Sequence, residues 1–380
     1  MRKGWEIKKL GEVCEIYAGG DVPKNNYTKT KTEEYKIPIF SNGEKNKGLY
    51  GYTDVARVTK PSITISARGT IGYSEIRLEA FYPAIRLLVV TPNTNILNLL
   101  FLKYVISNID FAHSGSSIPQ LTVPMVKEYL IPLPPITLQQ SIVKLLEEAF
   151  EKIDILKTNA ERNLQNAKEL FQSALTEKLK LKVGWEVKKL KEIGKAQTGT
   201  TPKTVDKENF GDFIPFIKPA DIDIKGNGVI RYDHDGLSEK GLRIGRKMHA
   251  GSILMVCIGA TIGKVGFADR DVSCNQQINA LTVKDGFSTK FIYYALSTKT
   301  FFEQVLHNAA QATLPIINKG KWETLTICFP KSLKAQQTIV EHLDALSAHC
   351  KGLEANYQKT IVQCEEMKKA VLGKAFRGEL

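Results

Sequence analysis

Apolar residues follow two alternating regimes along the chain. From Met1 to Pro135, and again from Gly184 to Lys334, short β-branched or aromatic runs such as Ser62 to Ser66 and Ile253 to Ile258 are broken by Gly, Pro and Asn. Turn chemistry of this kind, as in Ser41-Asn42-Gly43 or Lys225-Gly226-Asn227-Gly228, predicts strands joined by tight connections. Asn98 to Ser107 and Thr289 to Leu296 carry apolar residues at helical intervals and predict short helices within these regions. After Pro134-Pro135 and after Pro330 the pattern changes, and apolar positions recur alternately four and three apart, which predicts long helices.

The first stripe runs through Ile142, Leu146, Ala149, Ile153, Leu156, Ala160, Asn163, Ala167, Leu170 and Ala174. The second runs through Ile339, Leu343, Leu346, Cys350, Leu353, Tyr357, Thr360, Cys364, Met367 and Val371. Both are apolar except at one shared step, where Asn163 meets its counterpart Thr360. A polar residue inside such a seam costs stability but fixes register. An amphipathic helix lying on a globular core explains one stripe; two stripes in matching phase favour a coiled coil. At ~1.5 Å per residue, a helix from Leu138 to about Lys180 is roughly 60 Å long. It leads from one globular region into the next, so the second helix must return antiparallel to set its seam against the first. The expected result is a dumbbell with a pseudo-twofold axis.

The chain also repeats itself. Gly4-Trp5-Glu6-Ile7-Lys8-Lys9-Leu10 recurs as Gly184-Trp185-Glu186-Val187-Lys188-Lys189-Leu190, Gly69-Thr70-Ile71-Gly72 as Ala260-Thr261-Ile262-Gly263, and Gln139-Gln140-Ser141-Ile142-Val143 as Gln336-Gln337-Thr338-Ile339-Val340. The order is kept while the offset drifts, so the landmarks are separated by small insertions. The fold class expected is α+β: two similar α/β domains (1–137 and 184–334) separated by an antiparallel coiled coil of two long helices (138–183 and 335–380).

Charge sharpens this picture. The 380 residues hold 53 Lys+Arg and 40 Asp+Glu, a net +13. Residues 1–137 carry 17 basic and 12 acidic groups and residues 184–334 carry 22 and 15, while both helices are nearly neutral. Two basic heads on a neutral rod suit a polyanion, and duplex DNA offers two half-sites about one helical turn, ~34 Å, apart. Because the heads differ, the half-sites should differ too. A merely soluble basic surface explains the same charge. No run of about 18 apolar residues exists to cross a bilayer, and the start lacks an apolar signal-like stretch, so no membrane association and a cytoplasmic location are expected. Six cysteines without metal-binding spacing predict free thiols and no metal.

Catalytic motifs fail on inspection. Gly259-Ala260-Thr261-Ile262-Gly263-Lys264 is one residue short of a phosphate loop, with Val265 where Ser or Thr is needed, and reads instead as a strand ending in a tight turn. Pro219-Ala220-Asp221-Ile222-Asp223-Ile224-Lys225 hints at a nuclease cluster, but its acids are too close together, and a solvated strand edge is expected. No metalloprotease motif, nucleophile elbow or triad spacing is present. The chain reads as a binder with no catalytic residues of its own.

As a set, the residues resemble the specificity subunit of type I restriction-modification systems. The resemblance rests on the twice-used Gly-Trp-x-x-Lys-Lys-Leu opening and the turns Gly20-Asp21-Val22-Pro23-Lys24 and Gly199-Thr200-Thr201-Pro202-Lys203. It extends to Ile214-Pro215-Phe216-Ile217-Lys218-Pro219-Ala220-Asp221-Ile222, Cys274-Asn275-Gln276-Gln277, the Gln-Gln helix starts and the tail Lys374-Ala375-Phe376-Arg377-Gly378-Glu379-Leu380. The first copy departs from the pattern, with Ser41-Asn42-Gly43 where the second has the Lys218 run.

That resemblance implies two target recognition domains reading a bipartite site in double-stranded DNA, with helices setting the spacer. It also implies two methyltransferase subunits bringing S-adenosylmethionine and a motor-nuclease subunit using ATP, with no cofactor held by this chain. Lys144, Glu148, Lys152 and Arg162 on the first helix are candidate docking surface, or simply a solvated face. For DNA contact, loop Lys, Arg and Gln residues have the needed chemistry: Lys24, Arg68, Gln120, Lys203, Lys218, the cluster Arg243, Arg246 and Lys247, Lys264, and Gln311. Gln276 and Gln277 read equally well as buried sheet residues. Two other classes stay open from residues alone: a self-contained nucleic-acid enzyme, and a coiled-coil scaffold joining two protein-binding heads.

Overall fold

The computed structural model describes residues 4–24, 26–111, 120–222, 228–310 and 314–380. The chain forms two compact units, one of Met1–Glu161 with Lys359–Leu380, the other of Arg162–Gln358. In the first unit Glu6–Lys9 pairs antiparallel with Leu130–Leu133. A four-stranded antiparallel sheet follows in the order Cys14–Ala18, Leu88–Pro92, Ser62–Ile65, Ser74–Arg77. A three-stranded sheet sets Ile37–Phe40 between Leu49–Thr53 and Tyr82–Pro83, the latter pairing being parallel. The second unit repeats the plan. Trp185–Lys189 pairs with Thr326–Pro330, and a sheet runs Gly194–Thr198, Ile278–Val283, Ile253–Val256, Val265–Phe267. A further sheet is ordered Gly236–Leu237, Phe210–Ile217, Val272–Cys274, Lys247–Met248. The β-branched runs therefore become strands buried on both faces, Ile63, Ile65, Ile253 and Met255 all being fully enclosed.

Short helices Leu99–Ser107 and Thr289–Leu296 lie where periodicity placed them, with Asn98 and Ser288 as N-caps accepting from Phe101 N and Phe291 N. A helix at Lys299–Asn308, capped by Thr298, has no strong signal in the sequence pattern. The Gly69 to Gly72 and Gly259 to Gly263 segments are tight turns with left-handed glycines at both ends. At Gly263 an added Cβ would meet the Phe302 ring at 2.3 Å, so this position requires the absence of a side chain.

The repeated Gln-Gln motif has a structural explanation. Gln139 is completely buried; its Oε1 accepts from Asn98 N at 2.8 Å, and its Nε2 donates to the carbonyls of Ile96 and Pro134, each at 2.8 Å. Gln336 does the same in the second unit, accepting from Ser288 N at 2.8 Å and donating to Pro330 O at 3.0 Å. One carboxamide thus ties the N-cap of a short helix to the strand that precedes the long helix, satisfying backbone groups that would otherwise be buried unpaired.

The long helices span Ile136–Lys178 and Leu333–Arg377. In the first unit, the start of one and the end of the other share a core, Ile142, Val143 and Leu146 lying in one cluster with Ala375, Phe101 and Leu10. Asp154 pairs with Lys368 and Lys157 with Glu365, so ascending positions on one helix meet descending positions on the other: they are antiparallel. In the second unit, the opposite ends meet, Leu175 and Leu179 packing with Val340, Leu343, Phe291 and Trp322.

Along the two stripes Ile142, Leu146, Ile153, Ala160, Ala167, Leu343, Cys350 and Cys364 are buried, and Ile339, Leu346 and Leu353 are half-buried. Three positions of the stripes differ. Leu156, Leu170 and Met367 are 44%, 50% and 47% exposed, while their successors Lys157, Phe171 and Lys368 are half-buried. A helix of 3.6 residues per turn drifts ~20° per heptad against a strict 3.5 repeat, and without full supercoiling the stripe steps on by one residue. Phe171 uses that step to reach Tyr294, ring centroids 6.3 Å apart. Asn163 and Thr360 are each half-buried. The six cysteines are free, and burial pushes the Cys14, Cys257 and Cys274 thiols up to about 12. Among the described residues no helix is long and apolar enough to cross a membrane.

Candidate nucleic-acid interface

In the first unit, strand Ile37–Phe40 delivers the chain to Ser41-Asn42-Gly43, and three loops converge there. Asn42 Oδ1 accepts from Ala67 N at 2.7 Å while its Nδ2 donates to Ile85 O at 2.7 Å. Gly43 N donates to Ser66 Oγ at 3.0 Å. Beside Ala67, Arg68 donates from Nη2 (2.7 Å) and Nε (3.3 Å) to Gln120 Oε1. Two residues expected to meet DNA separately are therefore joined, Gln120 holding the Arg68 guanidinium in plane. Lys24 is exposed at the end of its turn. Two further cations on this edge were not singled out by the sequence pattern, Arg86 standing inside the apolar run Phe81 to Val90. Arg57 is exposed, its guanidinium 4.7 Å from the Tyr82 ring centre and against Gly20, where a Cβ would come within 2.8 Å of Nη1. Arg86 is exposed in the turn after Ala84.

The second unit builds its edge differently. Backbone contact is so close at Gly199 that a Cβ would lie 2.2 Å from the carbonyls of Cys274 and Asn275. This brings the Thr200 to Lys203 turn onto the Asn275-Gln276-Gln277 loop. Gln276 is exposed and accepts from the Thr201 hydroxyl; Gln277 is half-buried and accepts from Asn275 Nδ2 at 3.0 Å. Both lie in a loop between strands. Lys203 is exposed, and Arg246 Nη1 reaches Thr198 O at 2.8 Å at the base of the same turn. The expected Arg243, Arg246 and Lys247 cluster does not act as one group, since Arg243 pairs with Glu239 at 3.1 Å and Lys247 with Asp271 at 2.5 Å. Lys247 and the Ala250 amide hold the Asp271 carboxyl below the usual range. Lys264 is half-buried and lines a cavity of about 1080 Å³ with Tyr293, Phe302 and Asp344. Gln311 lies outside the described residues.

Asp221 is not on a solvated strand edge. It is 1% exposed and closes a short 3-10 turn, Pro219–Asp221, by accepting from Lys218 N at 2.9 Å. Its other oxygen accepts from Arg231 Nη2 at 2.8 Å and contacts His234 Nδ1 at 3.0 Å. Lys218 Nζ meets Asp235 at 2.8 Å. A buried carboxylate needs such partners to offset its desolvation. Asp221, His234 and Asp235 have ligand atoms within 4.8 Å of one another. The Arg231 and Lys218 cations already occupy those carboxylates, so the group is an ion-pair network that holds two half-exposed cations, Lys218 and Arg231, in place.

A family model for the type I restriction modification DNA specificity domain matches residues 2–165 and again residues 182–363. A putative type I specificity subunit from Mycoplasma pneumoniae is 38% identical over 153 residues, 39% of this chain and 45% of that protein. The HindI specificity subunit of Haemophilus influenzae is 34% identical over 151 residues, 39% of this chain and 32% of its own length. The MjaIX specificity subunit of Methanocaldococcus jannaschii is 28% identical over 170 residues, 44% and 39% respectively. The match thus spans less than half the length of these curated relatives. Among solved structures, the fold is similar to a chain of a type I R-M system described for its complex assembly and conformational transition (TM-score 0.78, 21% identity, covering 100% of this chain and 99% of that one). It is also similar to the HsdS subunit from Thermoanaerobacter tengcongensis (TM-score 0.62, 20% identity, 100% and 98%).

Proposed function

We propose that this chain, which belongs to the family of type I restriction-modification DNA specificity domains, is the sequence-reading subunit of such a system. Each unit reads one half of a bipartite, asymmetric site in double-stranded DNA, residues 1–137 and 184–334 being the readers and 138–183 and 335–380 the spacer. Two methyltransferase subunits and a motor-nuclease subunit dock on it and supply the chemistry, binding S-adenosylmethionine and ATP themselves. The observation that carries this reading is the double match of one specificity domain to two copies whose scaffolds coincide and whose outward loops do not.

Exposed Lys24, Arg57, Lys203 and Arg246 supply phosphate-positioning charge, and Lys218 and Arg231 are cations held in defined geometry. The test is a footprint and a salt titration on the purified complex. Two protected patches flanking an open spacer are expected, with affinity falling by about 0.9 log unit per log unit of salt for each phosphate neutralised. A flat salt response, or one continuous protected patch, would sink the proposal.

A further inference from the structure

The turn that follows strand Tyr82–Pro83 is unusual. Ile85 and Arg86 both have left-handed backbones, with φ of 54° and 60°. For a β-branched residue this is a genuine outlier, and such strain persists only where surrounding structure over-determines it. Here it does. Ala84 N donates to Phe40 O, Ile85 N to Gly20 O and Gly19 N to Leu87 O, each at 2.8 Å, and Leu87 N closes the turn on Ala84 O at 3.0 Å. Asn42 adds the side-chain clamp on the Ile85 carbonyl at 2.7 Å. The result is a rigid tip on which Ile85, 43% exposed, and Arg86 stand in solvent, although an aliphatic side chain gains nothing there from folding.

The second unit shows what stands at the same place. Asn275 N donates to Ile217 O and Gly199 N to Ile278 O, matching Ala84 to Phe40 and Gly19 to Leu87. Ile85-Arg86 therefore corresponds to Gln276-Gln277. One scaffold position carries an aliphatic group and a guanidinium in one unit, two carboxamides in the other. Arginine pairs with guanine O6 and N7, an aliphatic group packs on a thymine methyl, and glutamine pairs with adenine N6 and N7.

Resting on the function proposed above, we propose that the Ile85-Arg86 turn is a base-reading element of the first unit, with Arg86 selecting a guanine and Asn42 acting as its positioning residue. The test is selection of sites from randomised duplexes by the complex purified through a tag on the full chain. The wild type should yield a bipartite site. Arg86→Gln should lower preference for guanine at one base pair of one half-site by roughly tenfold and favour adenine there. The other half-site, read by the same molecules, should be unchanged and so report an intact fold. Arg86→Lys should retain the guanine. Asn42→Asp keeps the acceptor for Ala67 N but loses the donor to Ile85 O, and should relax the same base pair alone by severalfold.

An Arg86→Gln complex that keeps the wild-type site, or weakens all sequences evenly, would overturn the assignment of this turn while leaving the proposed function standing. Loss of both half-sites in Arg86→Gln while Arg86→Lys keeps them would equally overturn it. A wild type that selects no bipartite site would remove both readings.

Discussion

The two units agree where they meet the long helices and part company at their outer loops. In each, a fully buried glutamine, Gln139 or Gln336, fastens a helix cap to a strand end, and a lysine amide, Lys9 or Lys189, is closed by a glutamate three residues on. At the outer edge the same strand position leads into Ser41-Asn42-Gly43 in one unit and Lys218-Pro219-Ala220-Asp221 in the other. There the first unit relies on a carboxamide bridge and a strained turn, and the second on a buried carboxylate gripping Arg231 and His234. A duplicated scaffold tolerates change in its loops, where each copy can exchange a whole set of partners, Asn42 with Ala67 and Ile85 in one and Asp221 with Arg231 and His234 in the other. The fully buried glutamines that satisfy backbone groups, Gln139 and Gln336, are kept in both copies.

If the scaffolds are equivalent, equivalent damage should cost alike. Leu146→Ala and its counterpart Leu343→Ala, both at fully buried sites, should each lower unfolding free energy by about 3 kcal/mol in denaturant titrations. Leu156→Ala, at an exposed position, should cost less than about 1 kcal/mol. A large loss at Leu156 would restore the strict heptad seam. Gln139→Ala should cost about 3 kcal/mol and Gln336→Ala about 2 kcal/mol, in proportion to three and two hydrogen bonds lost. Near-zero effects would mean that water replaces the carboxamides and that the motif is kept for another reason.

Asp221→Asn tests a difference between the units, since nothing at Asn42 plays its charged role. It should destabilise by about 2 kcal/mol, read as a lowered unfolding midpoint. A neutral outcome would show the network to be surface decoration. The smallest effect concerns the helices. The Lys157 ammonium holds the Glu365 carboxyl below its ordinary range. The pair's contribution is therefore present above the unfolded carboxyl pKa and is lost as pH falls through the lower folded value. Between about pH 5 and pH 3 the wild-type melting temperature should fall slightly more than that of Glu365→Gln. Parallel curves would mean that solvent screens the pair completely.

The duplication and the strand-rich and helical regions were legible in the residues alone, because each rests on a short-range period or on a motif used twice. Asn98 to Ser107 and Thr289 to Leu296 were legible as helices for that reason, and Gln139 and Gln336 were visible as a pattern without their purpose. That Leu156, Leu170 and Met367 are exposed emerges from the folded chain, since the drift of a helix against its repeat is settled by what it packs on. Folding alone joined Arg68 to Gln120 and buried Asp221 with Arg231. It also gave Ile85-Arg86 in the first unit the scaffold position that Gln276-Gln277 hold in the second, residues unlike in chemistry and separated by insertions. Loops carry no period; their geometry follows from which strands lie beside them, and that is a property of the folded chain.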